Sequence, residues 1–342
     1  MTHETPIAVI GGGAWGTALA IHAARLGHPV RLWMREADLV ARMSARRDNP
    51  LYLPGVRIPD GVEPTAVLEE AVRDAALVVA AVPTLHARAV YRRLAPALSP
   101  GAPILLAAKG IEEETLALPS EVAAQELGAG WPAAVLSGPS FAVEVARGVP
   151  TALVVASSEI ALALRARDLL SSPSLRFYAN RDPLGVQLAG ALKNVIAIAA
   201  GVLDGLGAGH NTLAALVTRG LAEMRRLGVA LGADPATFGG LAGLGDLVLT
   251  CTGELSRNRR VGQAIGRGER IEDIVGRSAS VAEGVRTTPA ALALARRAGV
   301  EMPIVEEVQR LLIGNGSPAE AVGRLMSRPL TSEDATRKET AT

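Results

Sequence analysis

Lysine is almost missing from this chain of 342 residues: it stands only at Lys109, Lys193 and Lys338, against 32 arginines. Arginine keeps its charge in any protein setting, whereas lysine can be made to give up a proton. The chain uses arginine nearly everywhere, yet keeps lysine at two apolar, glycine-flanked places, Lys109 and Lys193. Those two amines are therefore candidates for proton chemistry.

Other scarcities exclude whole classes. Cys251 is the single cysteine, so no internal disulfide and no cysteine-rich metal site can form. Aromatic residues make up 3%, so a core must be built from Leu, Val, Ile and Ala. The formal net charge is +1 and no basic stripe or aromatic platform stands out, which argues against nucleic acid as a partner. The histidines lack partners at ligand spacing, so no metal site is predicted. The apolar run Val195 to Leu203 is too short to span a bilayer. Thr2, His3 and Glu4 lead straight into a strand, without a basic stretch followed by a long apolar one, which predicts a cytoplasmic soluble protein.

What is present suits two domains. Hydrophobic residues are 49% and charged residues 20%, enough to fill cores. Short apolar runs at 6–10, 30–34, 77–82, 103–107, 133–136, 151–156 and 175–178 alternate with helical patterns. That alternation predicts an α/β fold, a Rossmann-like doubly wound parallel sheet. Residues 49–59 read as a proline-rich loop. From Gly185 onward only helical segments follow, which predicts an all-α substrate domain. The expected division is 1–184 for dinucleotide binding, 185–330 for the helical catalytic domain and 331–342 for a polar tail.

Gly11-x-Gly13-x-x-Gly16 follows a strand and opens a helix, the context in which this spacing binds a dinucleotide pyrophosphate. At the end of the second strand, Arg35 suits a ribose 2′-phosphate, favouring NADPH with NADH possible; Glu36 beside it is the competing NAD-type group. Lys109 and Gly138-Pro139-Ser140 stand at later strand ends, where parallel sheets bind ligands. Pro83-Thr84 stands there too. Lys193 lies mid-helix in GVQLAGALKNVIAIAAG, and its neighbours one turn away are Ala189, Gly190, Ile196 and Ala197. None can pair with it, so it either snorkels to water or is buried with a lowered pKa. Asp246 is a lone charge in GLAGLGDLVLTC, either a helix cap or the group that orients Lys193. Ser256, Arg257 and Asn258 offer a hydroxyl, a guanidinium and an amide at a predicted helix start, a design for phosphate. Arg259 and Arg260 read as a solvated basic face.

With these motifs in place, the chain resembles the bacterial-type NAD(P)-dependent glycerol-3-phosphate dehydrogenases. The likeness rests on GGGAWGTALA, NPLYLPGV, AAKGIE, SGPSFAVEVARGVPTA, GVQLAGALKNVIAIAAG, TRGLAEMRRLG, GLGDLVLTCTGELSRNRRVG, VAEGVRTT and GVEMPI, in order over nearly the whole chain. It implies reversible hydride transfer between NAD(P)H and dihydroxyacetone phosphate, giving sn-glycerol 3-phosphate for phospholipid synthesis. It implies Lys193 as the proton-transfer residue, with Lys109 and Asp246 beside it. Lys109, Gly138, Ser140, Asp246, Ser256, Arg257 and Asn258 become substrate contacts. Ala14, Trp15, Arg35, Lys109, Ala142, Arg257, Val281 and Glu283 become positions lining the cofactor. A homodimer is also implied. The sequence departs from relatives at Thr84, His210 and Leu213, none of which is among these positions. The residues alone also allow another two-domain keto- or hydroxyacid reductase, or a non-catalytic NADP(H) sensor. The Ser256 cluster argues against the first, and lysines in apolar settings against the second.

Overall fold

The computed structural model describes residues 5–276 and 282–330. Ten strands occur among them: β1 (Ile7–Ile10), β2 (Val30–Trp33), β3 (Asp48–Asn49), β4 (Leu53–Arg57), β5 (Val62–Thr65), β6 (Leu77–Ala80), β7 (Ile104–Leu106), β8 (Ala133–Ser137), β9 (Thr151–Ala156) and β10 (Leu175–Asn180). Eight form one sheet in the order β10-β9-β8-β7-β6-β1-β2-β5. β1 and β6 are buried at every position, as apolar runs covered on both faces should be.

Seven helices accompany the sheet: α1 (Ala14–Arg25), α2 (Ala37–Arg46), α3 (Leu68–Val72), α4 (Thr84–Leu94), α5 (Pro119–Leu127), α6 (Ala142–Arg147) and α7 (Ile160–Leu170). Side chains alternate across a strand, so Ile7 and Val9 pack with Ala18, Ile21, Met43 and Ala163 of α1, α2 and α7. Ala8 and Ile10 meet Leu68, Tyr91 and Val122 of α3, α4 and α5 on the other face.

Three departures from the sequence reading have local causes. The sheet is parallel except between β8 and β9, where Leu136 faces Val155 in an antiparallel pair. The connecting α6 has six residues and rises about 9 Å, too little to carry the chain back along a strand of about 16 Å. The expected loop at 49–59 contains the antiparallel pair β3–β4, with Asn49 opposite Leu53. β5 extends the sheet despite Pro64, because an edge strand tolerates a missing N–H.

From Asp182 onward the described residues are helical: α8 (Pro183–Gly205), α9 (His210–Ala230), α10 (Pro235–Phe238), a π-helical turn at Leu241–Gly245, α11 (Asp246–Thr252), α12 (Arg257–Gly266), α13 (Ile271–Gly276), α14 (Glu283–Arg297), α15 (Pro303–Leu312) and α16 (Pro318–Met326). Asp182 caps α8 by accepting from Gly185 N at 2.8 Å, with Pro183 in the first turn. By length and composition α8 could cross a bilayer, yet it is the buried axis of the helical region. It packs against α9, α11, α12 and α14.

The α8–α12 contact is close because glycines line it. A Cβ on Gly201 would lie 1.9 Å from Arg259 O, and one on Gly262 would lie 2.0 Å from Ile198 O. Gly205 and Gly266 continue the seam against Gln263 O and Val202 O. Backbone therefore rests on backbone, and the start of α12 is pressed against the middle of α8, beside Lys193.

Candidate active site

Strand order reverses between β1 and β6, and their carboxyl ends open the crevice in which doubly wound sheets bind ligands. Gly11 has φ +114° and a Cβ there would lie 2.6 Å from Ala81 O, so the turn after β1 requires glycine. Gly16 is packed against Gly11 O, whereas nothing lies within 4 Å of the Cβ position of Gly13. Gly13 is the N-cap of α1 and Ala14 its first residue; no acidic side chain occupies the first turn. Trp15 Nε1 is buried without a partner. Open space, unpaired donors and a helix N-terminus fit a dinucleotide pyrophosphate.

Arg35 lies two residues beyond β2, its side chain 75% exposed and paired to Glu36 at 3.3 Å. The two candidates for the ribose end are thus adjacent and bound to each other. Ala142 begins α6, which packs on α1. Val281 lies outside the described residues.

The two lysines converge on one carboxylate. Lys193 Nζ donates to Asp246 Oδ1 at 2.5 Å, and Lys109 Nζ donates to Asp246 Oδ2 at 2.8 Å. Lys109 Nζ also donates to Gly138 O at 3.0 Å, joining two neighbouring strand ends. Lys193 does not snorkel: it is 6% exposed, and Asp246 is 0%. Asp246 is not a cap either; it is the first residue of α11, delivered by the π-helical turn. π-turns recur at functional sites because they redirect one side chain within a helical run.

Burial pushes the Lys193 amine down to about 8; Asp246 opposes the shift and Lys109 adds to it. Burial alone would raise Asp246, but the two lysines outweigh it and hold the carboxyl below its ordinary value. Burial raises Glu283, with Arg257 the strongest opposing charge. Burial also pushes the Cys251 thiol up to about 12, leaving it inert.

Ser256 caps α12, accepting from Arg259 N at 3.2 Å. Arg257 follows, exposed at the helix start. Asn258 is largely spent on structure: Nδ2 donates to Asn194 Oδ1 at 2.8 Å, and Oδ1 accepts from Gly284 N at 2.9 Å. It clasps α8, α12 and α14 together, with one amide proton left for a ligand. Ser140 caps no helix; it donates to Gly138 O at 3.0 Å. Arg259 belongs to no solvated face, since its side chain is 16% exposed and paired with Asp204. Thr84 is buried at the start of α4, its hydroxyl against Gly110.

Three features escaped the sequence reading. Thr250 accepts from Lys193 Nζ at 2.8 Å and donates to Asp246 O at 2.6 Å. Its signal was a hydroxyl one turn after Asp246. Asn194 faces Lys109 O and Gly190 O, each at 3.4 Å. The glycine seam was announced by GxxxG spacing in both helices (Gly201 and Gly205, Gly262 and Gly266).

Residues 6–163 match the family described as NAD-dependent glycerol-3-phosphate dehydrogenase N-terminus, and residues 182–323 match its C-terminus. A "Glycerol-3-phosphate dehydrogenase [NAD(P)+]" of Geobacter sulfurreducens is 51% identical over 329 residues, covering 96% of this chain and 98% of the relative. The protein of the same name from Thioalkalivibrio sulfidiphilus is 49% identical over 325 residues, covering 95% and 98%. A crystal structure of glycerol-3-phosphate dehydrogenase from Coxiella burnetii superposes with TM-score 0.91 at 41% identity, covering 95% of this chain and 99% of that one. The chain belongs to the NAD-dependent glycerol-3-phosphate dehydrogenase family.

Proposed function

We propose that Lys193 is the acid–base group for reversible conversion of dihydroxyacetone phosphate to sn-glycerol 3-phosphate. One observation carries this reading: a buried amine, lowered to about 8, on a carboxylate it shares with a second lysine. When bound, NAD(P)H supplies the hydride to the C2 carbonyl carbon. Lys193 has used two of its three donors on Asp246 and Thr250, so one N–H is left for the oxygen at which negative charge develops. It protonates that oxygen, and in the oxidative direction its neutral form takes the proton back. Asp246 and Thr250 aim the amine, and burial, with Lys109 beside it, keeps its affinity for the proton low.

Ser256, Arg257 and the remaining amide proton of Asn258 hold the phosphate at the N-terminus of α12, fixing C2 beside Lys193. Gly138 and Ser140 bound the substrate from the sheet side. Gly11, Gly13, Ala14, Trp15 and Gly16 hold the cofactor's pyrophosphate, and Ala142 and Glu283 line its path. Arg35 favours NADPH over NADH. We read residues 1–184 as the cofactor domain and 185–330 as the substrate domain of a cytoplasmic homodimer.

The test is oxidation of NADPH by dihydroxyacetone phosphate, repeated with NADH and with dihydroxyacetone. Turnover that requires the phosphate and is faster with NADPH is expected. Equal rates with the phosphate-free ketone would remove the α12 anchor from the mechanism.

A further inference from the structure

The stretch Asn49-Pro50-Leu51-Tyr52-Leu53-Pro54 supplies no group to the chemistry above, yet Asn49 is 0% exposed. Its Nδ2 donates to Gly12 O at 2.9 Å and to Thr17 Oγ1 at 2.9 Å. Thr17 in turn donates to Gly12 O at 3.2 Å. Asn49 Oδ1 accepts from Tyr52 N at 3.3 Å. Both amide protons of a fully buried asparagine are thus spent on Gly12 O in the glycine turn and on Thr17 Oγ1 in the first turns of α1, with Gly12 37 residues away in the chain.

We infer that Asn49 is a positioning residue for the cofactor: by holding the Gly12 carbonyl inward, it turns the Gly13 N–H outward to the pyrophosphate. The inference rests on the reading that this turn binds the pyrophosphate. A trans peptide is planar, with its C=O and N–H on opposite sides. Fixing one direction fixes the other. The peptide between Gly12 and Gly13 is flanked by the two residues with the fewest steric limits, so nothing local prevents its rotation. A flip would aim a carbonyl oxygen at an anion. Two hydrogen bonds, from Asn49 and Thr17, hold Gly12 O where that cannot happen.

Asparagine suits the task and aspartate does not. The turn offers two acceptors, Gly12 O and Thr17 Oγ1, and only the amide has two protons to give. The brace is itself anchored. Arg47 has φ +56° and closes α2, and its guanidinium donates to Val62 O at 2.9 Å, to Ile58 O at 3.3 Å and to Pro59 O. Ile58 N returns a bond to Arg47 O at 2.8 Å. The β3–β4 pair therefore cannot swing Asn49 away from the turn.

Asn49→Leu keeps the branched shape and removes the donors. Binding is read directly, by calorimetric titration with NADPH, NADH and ADP-ribose, which share a pyrophosphate. All three should bind about tenfold more weakly, by a common factor, leaving the NADPH-to-NADH ratio unchanged. The KM for dihydroxyacetone phosphate at saturating cofactor should stay within about twofold. Thr17→Val, a milder change with Asn49 intact, should weaken the same three ligands, and the double variant should lose less than the sum. If Asn49→Leu does not fold, Thr17→Val and Asn49→Ser carry the measurement. Unchanged ADP-ribose affinity in a folded variant, or an equal loss for the phosphate substrate, overturns the positioning role. Ala14→Asp separates the two readings, because it places a negative charge at the α1 N-terminus. If it leaves cofactor affinity intact, the pyrophosphate is not at this turn. If it weakens binding while Asn49→Leu does not, only the role of Asn49 fails.

Discussion

Lys193 Nζ lies 2.5 Å from Asp246 Oδ1, across 53 residues of chain. The carboxylate that binds it also binds Lys109 at 2.8 Å, so one negative charge serves two ammonium groups. Burial lowers the Lys193 pKa to about 8 while Asp246 holds the amine in place.

Lys193→Arg keeps the cation and removes the ability to exchange a proton. The expected result is a fall in kcat of about 10²–10⁴, with cofactor affinity preserved. Ketone reduction needs protonated Lys193, so in the wild type its kcat should fall as pH rises through about 8. Alcohol oxidation needs the neutral amine and should rise through the same range. Steady-state pH profiles in both directions check this; a variant that keeps near wild-type kcat ends the proton-transfer role.

Asp246→Asn keeps the shape and removes the charge that opposes the burial shift on Lys193. The lysine pKa should therefore fall further, moving the decline of the reductive profile below pH 8. Two ammonium groups would also lose their counter-charge, at a stability cost of about 3 kcal/mol. Urea denaturation at neutral pH, together with the profile, tests both effects. A reductive profile that stays in place would mean that Asp246 does not tune Lys193.

Gly262→Ala places a Cβ 2.0 Å from Ile198 O, so α12 must move off α8. Overpacking of this kind costs about 2 kcal/mol. The displacement also separates the phosphate anchor from Lys193. The kcat/KM for dihydroxyacetone phosphate should drop about tenfold more than that for dihydroxyacetone, since a shift of about 1 Å is felt by the anchored substrate. Equal losses for the two ketones would make the seam purely structural.

Glu223 of α9 is buried and accepts from Ile304 N at 2.8 Å and Val305 N at 3.4 Å, capping α15 from outside. Burial pushes its carboxyl up to about 7 despite those two donors. Between its ordinary value of 4.5 and about 7 the folded chain therefore holds a proton that the unfolded chain has lost. Its contribution to stability is complete below that window and is lost as pH rises through about 7. Glu223→Gln should flatten this part of the stability curve and raise stability at higher pH, measured by urea unfolding across the window. An unchanged slope would show that Glu223 is not the group responsible.

Much of the fold was legible because the apolar runs of β1, β6 and β7 are continuous and the dinucleotide glycines follow β1 directly. These are local patterns, and local patterns survive in a linear reading. β3, β4 and β5 were read as a loop or missed, because β3 is only two residues long, Pro54 and Pro64 speak against strands in β4 and β5, and only their pairing partners make them. β9 was read as a strand at 151–156, but its antiparallel direction was missed for a related reason: that direction depends on the length of α6, not on the strand's own composition.

The amino-acid sequence by itself determined that Lys109 and Lys193 are unusual, that Gly11-x-Gly13-x-x-Gly16 follows the first strand and that a hydroxyl, a guanidinium and an amide stand together at Ser256, Arg257 and Asn258. Scarcity and spacing are properties of the chain alone. Only the tertiary structure decided what those residues do to each other. It placed both lysines on Asp246, turned Asn258 into a clasp, seated α12 on the glycines of α8 and buried Asn49 beneath the turn at Gly12. Hydrogen bonds and burial shifts act over a few ångströms, and the separations along the chain that they close are set by packing.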